Sequence, residues 1–447
     1  MEGPRSAQPL SRRAKGALAA IVVAYVALAV LYSQVTRFRF GPDEPAHFAY
    51  VQSLALDFRL PAMPLHGEEE GYFRGGAISH QRQQPPLYYA VAALVYRALG
   101  ALPADSLWRA LRLFSIALGI AVMALQWRLL RLVFPEDAAV CLAGLAVLAL
   151  LPMFTYITAV VNNDPMAVLL FTAVIYQWCR MLARRPDLAD VVVAGVLVGL
   201  AVLSKESALA LAPGLLIVAA TTGPAESKTV LRRIGRAGLA LAIAGAVCSG
   251  WFLDNLHAYG SPTVYFFNRP AFENLREALT HPWHLLAITG LTAQRTVLFL
   301  WVPWWAVGGG RHIPPTPYTL GMLLLTAAAF IGMVLAWVDR RRGRPGLTLL
   351  QSQGLALMLM TVGVVTLGIL RYVLFVDYTA LQAGRYFIVV WPMMAILSVA
   401  GLSTLLVTRR AKAIGLSALV GLWLAGNAVV LWIVHLIYGT WPSGPGP

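Results

Sequence analysis

The chain has 447 residues, 59% of them hydrophobic and 12% charged, with a formal net charge of +15. That apolar fraction with so few charges excludes an ordinary soluble protein. The basic residues sit in short clusters between apolar runs of about 20 residues, so membrane topology accounts for the charge better than nucleic-acid binding does.

The first cluster, RSAQPLSRRAK, precedes GALAAIVVAYVALAVLY. That run is long and no clear small-residue cleavage site follows it, so it reads as a retained first span rather than a signal peptide. Further apolar runs give eleven spans in all, at about 16–34, 110–128, 138–157, 165–182, 188–203, 207–222, 236–253, 318–338, 351–375, 386–407 and 413–437. The clusters RSAQPLSRRAK, WRLLR, CRMLARR, KTVLRRIGR, DRRRGR and TRRAK hold 20 of the 35 Lys and Arg residues. Placing all six in the cytoplasm puts the N-terminus inside and the C-terminus outside. The expected fold is all-α: one domain over 1–447, a polytopic transmembrane helical bundle with juxtamembrane interfacial helices in a long first outer loop.

Two apolar stretches do not fit as spans. LYYAVAALVYRALGAL begins at Leu87 and VLFLWVPWWAVGGG begins at Val297. Both are rich in Tyr or Trp and read as helices lying in the interface or as short re-entrant pieces. The outer face then carries segment 35–109, VVNNDP, SKES, segment 254–317 and DYTALQAGRY, and the two long segments form the outer site. Cys141, Cys179 and Cys248 lie in or near apolar spans without CxxC spacing, so they read as small core residues.

The unusual polar motifs all fall on that outer face. In GPDEPAHF, Pro45 suits the first turn of a helix, and Asp43 and Glu44 sit at its N-terminus, where the helix dipole favours negative charge. An ionised carboxylate there can accept a proton from an attacking hydroxyl. Asp43, Glu44 and His47 are also spaced to hold a divalent cation; the plainer reading of the acids is helix capping. HQRQQPPLYYA supplies Arg82, Gln84, Tyr88 and Tyr89. NNDP supplies Asn163 and Asp164, the latter a candidate helix cap. SKES supplies Lys205, with Glu206 beside it as a local ion-pair alternative. GRY supplies Arg385 and Tyr386, where Arg385 can simply snorkel to the surface. Arg82, Lys205 and Arg385 would together bind an anion, arginine being suited to a phosphate fork. The aromatic pieces, with Gln84, Tyr88, Tyr89, Asn163 and Tyr386, would line an acceptor or lipid groove.

Seven short motifs stand in order along the chain: GPDEPAHF, QPPLYY, LRLFSIALG, NND, LSKESAL, WFLDNLHAYGSP and GRYFIVVWP. In this the chain resembles the C-type glycosyltransferase superfamily of polyprenyl-phosphate-sugar enzymes. That group includes protein O-mannosyltransferases and the aminoarabinose transferases that modify lipid A. The resemblance implies a polyprenyl-phosphate-sugar donor and an inverting transfer to a hydroxyl acceptor on a protein, glycolipid or polysaccharide. It implies Asp43 as general base, Asp164 as second acid, and Lys205 and Arg385 on the donor phosphate. Where some relatives carry a phosphate-binding lysine before the PPLYY helix, this chain has Gln84, with Arg82 as the substitute. Metal binding varies across the superfamily, so a cation at Asp43, Glu44 or His47 stays open. The resemblance places the site on the outer face, and the Ala- and Arg-rich composition points to a bacterial plasma membrane.

Three other functions fit the sequence less well. A transporter or flippase of a polyprenyl-linked glycolipid would place charges near mid-span, whereas here the acids gather at outer ends. A membrane metalloprotease would need HExxH, which DEPAH does not supply. A non-catalytic lipid-binding protein would have no use for Asp43. No GxGxxG or Walker pattern is present, as suits a donor that arrives through the lipid.

Overall fold

The structure, a computed structural model, describes residues 9–36, 41–63, 71–73, 76–184, 186–222, 229–263, 280, 316–342, 346–375, 386–406 and 408–438. VLFLWVPWWAVGGG and Arg385 lie outside them. The described chain is nearly all helix. In order it forms α1 (Arg12–Val35), α2 (Glu44–Leu56), α3 (Leu87–Ala98), α4 (Ala104–Val133), α5 (Ala138–Ala149), α6 (Pro152–Ile157) and α7 (Asp164–Ala183). These are followed by α8 (Leu188–Ser204), α9 (Ala212–Thr221), α10 (Val230–Tyr259), α11 (Thr316–Arg341), α12 (Leu349–Phe375), α13 (Trp391–Leu405) and α14 (Arg409–Tyr438). A two-stranded hairpin, β1 (Gly71–Phe73) and β2 (Gly76–Ile78), sits in the first long loop.

Each of the eleven expected spans has a helical counterpart, but not all are single long helices. Among the described residues, seven helices are long and apolar enough to cross a membrane: Arg12–Val35, Ala104–Val133, Asp164–Ala183, Val230–Tyr259, Leu349–Arg371, Phe387–Leu405 and Arg410–Trp432. The chain is an integral membrane protein. The span expected at 138–157 breaks into α5 and α6, because Pro152 cannot continue an α-helix from the preceding turn. The Leu150 carbonyl freed by the break accepts a 2.6 Å hydrogen bond from Nδ2 of Asn427 on α14. Asn427 Oδ1 in turn accepts from the Tyr32 hydroxyl of α1 at 3.2 Å. A buried amide thus does for this helix end what water would do elsewhere. The spans expected at 207–222 and 386–407 each open with a 3₁₀ turn, Glu206–Leu211 and Phe387–Val390.

Small residues let some helices touch backbone to backbone. Gly195 and Gly199 on α8 face the Ala240 and Ala244 carbonyls of α10; a Cβ at either glycine would come within 2.7 Å of its carbonyl oxygen. This is the close approach that spaced glycines allow in membrane helices. The main core runs through the bundle and holds all three cysteines, buried and free. A second core lies under the first loop, where α2 and α3 pack on the start of α4 around Tyr50, Tyr88, Tyr89, Trp108 and Leu111.

The helix directions sort the charges. WRLLR and the described parts of CRMLARR and DRRRGR end α4, α7 and α11; the described residues of KTVLRRIGR and TRRAK begin α10 and α14. Near this end Lys412 lies 3.7 Å from Asp137 in the α4–α5 turn. The acidic and amide motifs occupy the opposite ends of α1, α4, α7, α8 and α10.

Candidate functional site

The polar layer at that opposite end starts from Glu44. This residue opens α2 and is completely buried. Its Oε1 accepts from Arg112 Nε (2.7 Å), Trp108 Nε1 (3.0 Å) and the Val161 backbone N–H (3.0 Å). Its Oε2 accepts from Arg112 Nη2 (2.6 Å) and the Gly41 N–H (3.3 Å). Arg112 Nη1 also donates to the Ser33 and Thr36 carbonyls at 2.6 and 3.0 Å, where α1 ends. One forked ion pair therefore ties α1, α2, α4 and the segment before α7 together. The sequence reading of Glu44 as a catalytic or metal-binding acid is corrected accordingly, since its oxygens are taken up by structure.

Asp43, one residue earlier, is exposed and left-handed, with φ 53°. Asp and Asn are the residues that best tolerate this region apart from glycine. Its side chain does not cap α2, so the capping alternative does not describe it. The exposed Asp43 thus sits next to a residue locked in a buried fork.

His47 does not join the acids in a cation site. Its Nδ1 lies 2.8 Å from the Tyr89 hydroxyl and its ring stacks on Tyr89. No group of three His, Cys, Asp or Glu among the described residues could hold a metal ion. The residues present do not fit a cation at Asp43, Glu44 and His47.

Tyr88 and Tyr89 are wholly buried. Tyr89 stacks on Tyr50 with ring centroids 3.8 Å apart, and the Tyr88 hydroxyl lies 3.4 Å from Ser115 Oγ. They form the second core rather than an open groove, which corrects that expectation. Tyr386 is partly buried against the main core.

Asp164, at the start of α7, is buried and bonded to the ammonium of Lys205 at the end of α8. The Lys205 side chain remains 14% exposed. Asn162 Oδ1 accepts the Asp164 N–H at 2.8 Å. Asn163 Nδ2 donates to Gln84 Oε1 (3.3 Å) and to the Ser204 carbonyl (3.1 Å). So NNDP, QPPLYY and LSKESAL meet in one cluster. Arg82 is buried nearby, on a turn leading to Gln84. Its guanidinium bonds Asp254 and, at 2.9 Å, Asn255 Oδ1 on α10, and lies over the Trp251 ring at 4.7 Å. Asn255 Nδ2 also donates to the Pro262 carbonyl at 3.1 Å, just past the left-handed Gly260 that ends α10.

Residues 83–251 match the dolichyl-phosphate-mannose-protein mannosyltransferase family. The fold resembles that of ArnT from Cupriavidus metallidurans bound to undecaprenyl phosphate, with a TM-score of 0.53 and 16% identity, covering 94% of this chain and 70% of that one. The family match thus covers part of the chain, and the likeness to the solved structure extends over its whole fold. A second likeness is to the Archaeoglobus fulgidus oligosaccharyltransferase tethered to an acceptor peptide, with a TM-score of 0.50 and 13% identity. It covers 96% of this chain and 56% of that one, so the chain spans a little over half the length of that structure. No curated protein matches the chain.

In this polar layer, the residues that sequence reasoning left unassigned are Trp108, Arg112, Asp254 and Asn255. A signal for three of them was present: Arg112 is a charge inside the apolar run LRLFSIALG, and Asp254 and Asn255 interrupt WFLDNLHAYGSP. A charge at such a position needs a partner, and Glu44 and Arg82 are the partners.

Proposed function

We propose that the chain transfers a sugar from a polyprenyl-phosphate-sugar to a hydroxyl acceptor at the outer face of the membrane. The observation that carries this is the Asp164–Lys205 pair. It lies at the bundle end that also carries exposed Asp43, opposite the basic clusters that read as cytoplasmic. The Asp43 carboxylate takes the proton of the acceptor hydroxyl as its oxygen bonds to the anomeric carbon. The bond from that carbon to the phosphate oxygen breaks, and polyprenyl phosphate leaves with the electron pair. Asp164 fixes the Lys205 ammonium, whose other N–H groups bond nothing among the described residues and serve the phosphate. Arg82, held by Asp254 and Asn255, adds positive potential beside it, and Arg385 completes the cation set by sequence. Inversion follows if attack and departure are in line.

The two likenesses are compatible with such a ligand pair, one having been captured with undecaprenyl phosphate and the other with an acceptor peptide. The test is a proteoliposome assay with radiolabelled undecaprenyl-phosphate monosaccharides and a membrane extract as acceptor. The wild type is expected to move label to acceptor, and Lys205→Gln to lose at least about tenfold in rate through the weakened phosphate contact. Absence of label transfer by the wild type from every donor would contradict the reading.

A further inference from the structure

Two polar side chains beside the ion pair have work left undone. Asn162 and Ser204 are both 0% exposed. Asn162 Nδ2 and Ser204 Oγ have no hydrogen-bond partner among the described residues. Leaving a buried polar group unsatisfied is costly, and in native proteins such a group usually has a partner. Their placement is fixed. Asn162 is anchored through Oδ1 to the Asp164 N–H at 2.8 Å, which commits its amide oxygen and leaves the NH₂ over. Ser204 immediately precedes Lys205, and its carbonyl is taken by Asn163 Nδ2 at 3.1 Å.

The electrostatics narrow the partner. Asp164 and Lys205 neutralise each other, and Asn162 and Ser204, which adjoin them in the chain, add no charge. Together the four residues carry an amide donor, an ammonium donor, a carboxylate acceptor and a hydroxyl that can do either. A bare phosphate accepts hydrogen bonds and wants net positive charge. Sugar hydroxyls both donate and accept, and they are neutral. We propose that Asn162 and Ser204 bind hydroxyls of the sugar carried by the donor lipid, with the phosphate seated at the exposed side of Lys205. This rests on the sugar-transfer reading above and assigns the sugar its own subsite.

Among the described residues the two groups make no bond to protein at these atoms, which separates a ligand role from a structural one. Ser204→Ala removes no hydrogen bond of the Oγ among the described residues, and Asn162→Ser removes the amide donor, brings in no charge and keeps a side-chain oxygen for the Asp164 N–H two residues on. Binding to detergent-solubilised protein would be measured for bare undecaprenyl phosphate and for a panel of its mannose, glucose, galactose and aminoarabinose esters. The wild type is expected to bind at least one ester more tightly than the bare lipid. Each variant should lose about five- to tenfold of that gain, the scale of one hydrogen bond, while its affinity for bare undecaprenyl phosphate and its melting temperature stay unchanged. The proposal is overturned if no ester binds more tightly than the bare lipid, if both variants keep the gain, or if bare-lipid affinity falls with it. Because binding is read apart from turnover, a chain that binds the ester without transferring the sugar would sink the reaction and leave the subsite standing.

Discussion

Asp43→Asn is expected to lower sugar transfer by about 10²–10⁴-fold, the usual contribution of a general base, while the protein folds and inserts as before. The second half of that expectation follows from the backbone. Asn tolerates the left-handed region as well as Asp does, and the Asp43 side chain makes no capping bond that the change would remove. The amide fills the same volume but cannot accept the acceptor's proton at any working pH. Donor binding should change little, since Asp43 is assigned no contact with the phosphate. The measurement is single-turnover transfer in proteoliposomes, with melting temperature and donor affinity alongside. Wild-type turnover by Asp43→Asn would remove the base from the mechanism.

Arg112→Met is expected to be the most destabilising of these changes. It strips the guanidinium from a carboxylate that is completely buried. Breaking a buried pair by removing one partner costs about 3–5 kcal/mol, because the other charge is left without compensation. Arg112 also closes the end of α1 through the Ser33 and Thr36 carbonyls, so the loss is felt in two helices. Pairing Arg112→Met with Glu44→Leu should recover part of the melting temperature, since an apolar pair of similar volume is often tolerated where an ion pair stood. It should not recover transfer, because the fork that anchors the residue next to Asp43 to α4 is gone. Thermal unfolding in detergent reads the first effect and turnover the second. A single variant that melts with the wild type would show that the fork does not hold the loop.

The fold was legible where a residue's neighbours in sequence determine its role. Apolar run length located the eleven helical segments, and Pro45 and Pro165 marked the starts of α2 and α7. Segment 138–157 was misread as one span because hydropathy does not register that Pro152 breaks the helix, nor that Asn427, more than 270 residues later, satisfies the freed carbonyl. The site divided in the same way. Motif order brought Gln84, Asn163, Asp164 and Lys205 to one face, and the structure joins them through side-chain bonds. The separate roles of Asp43 and Glu44 could not be read from adjacent letters. What distinguishes them is a left-handed φ and a partner on α4, both products of tertiary packing. Tyr88 and Tyr89 suggested a groove by their amphipathic character, but the ring stack with Tyr50 needs α2 folded over α3.

The account turns on where the lipid phosphate sits. The most direct measurement is an experimental structure of the protein in nanodiscs with undecaprenyl phosphate. The prediction is phosphate density within about 3 Å of Lys205 Nζ, at the bundle end that carries Asp43 and Arg82. Phosphate density among the arginines that begin α10 and α14, with none at Lys205, would contradict it.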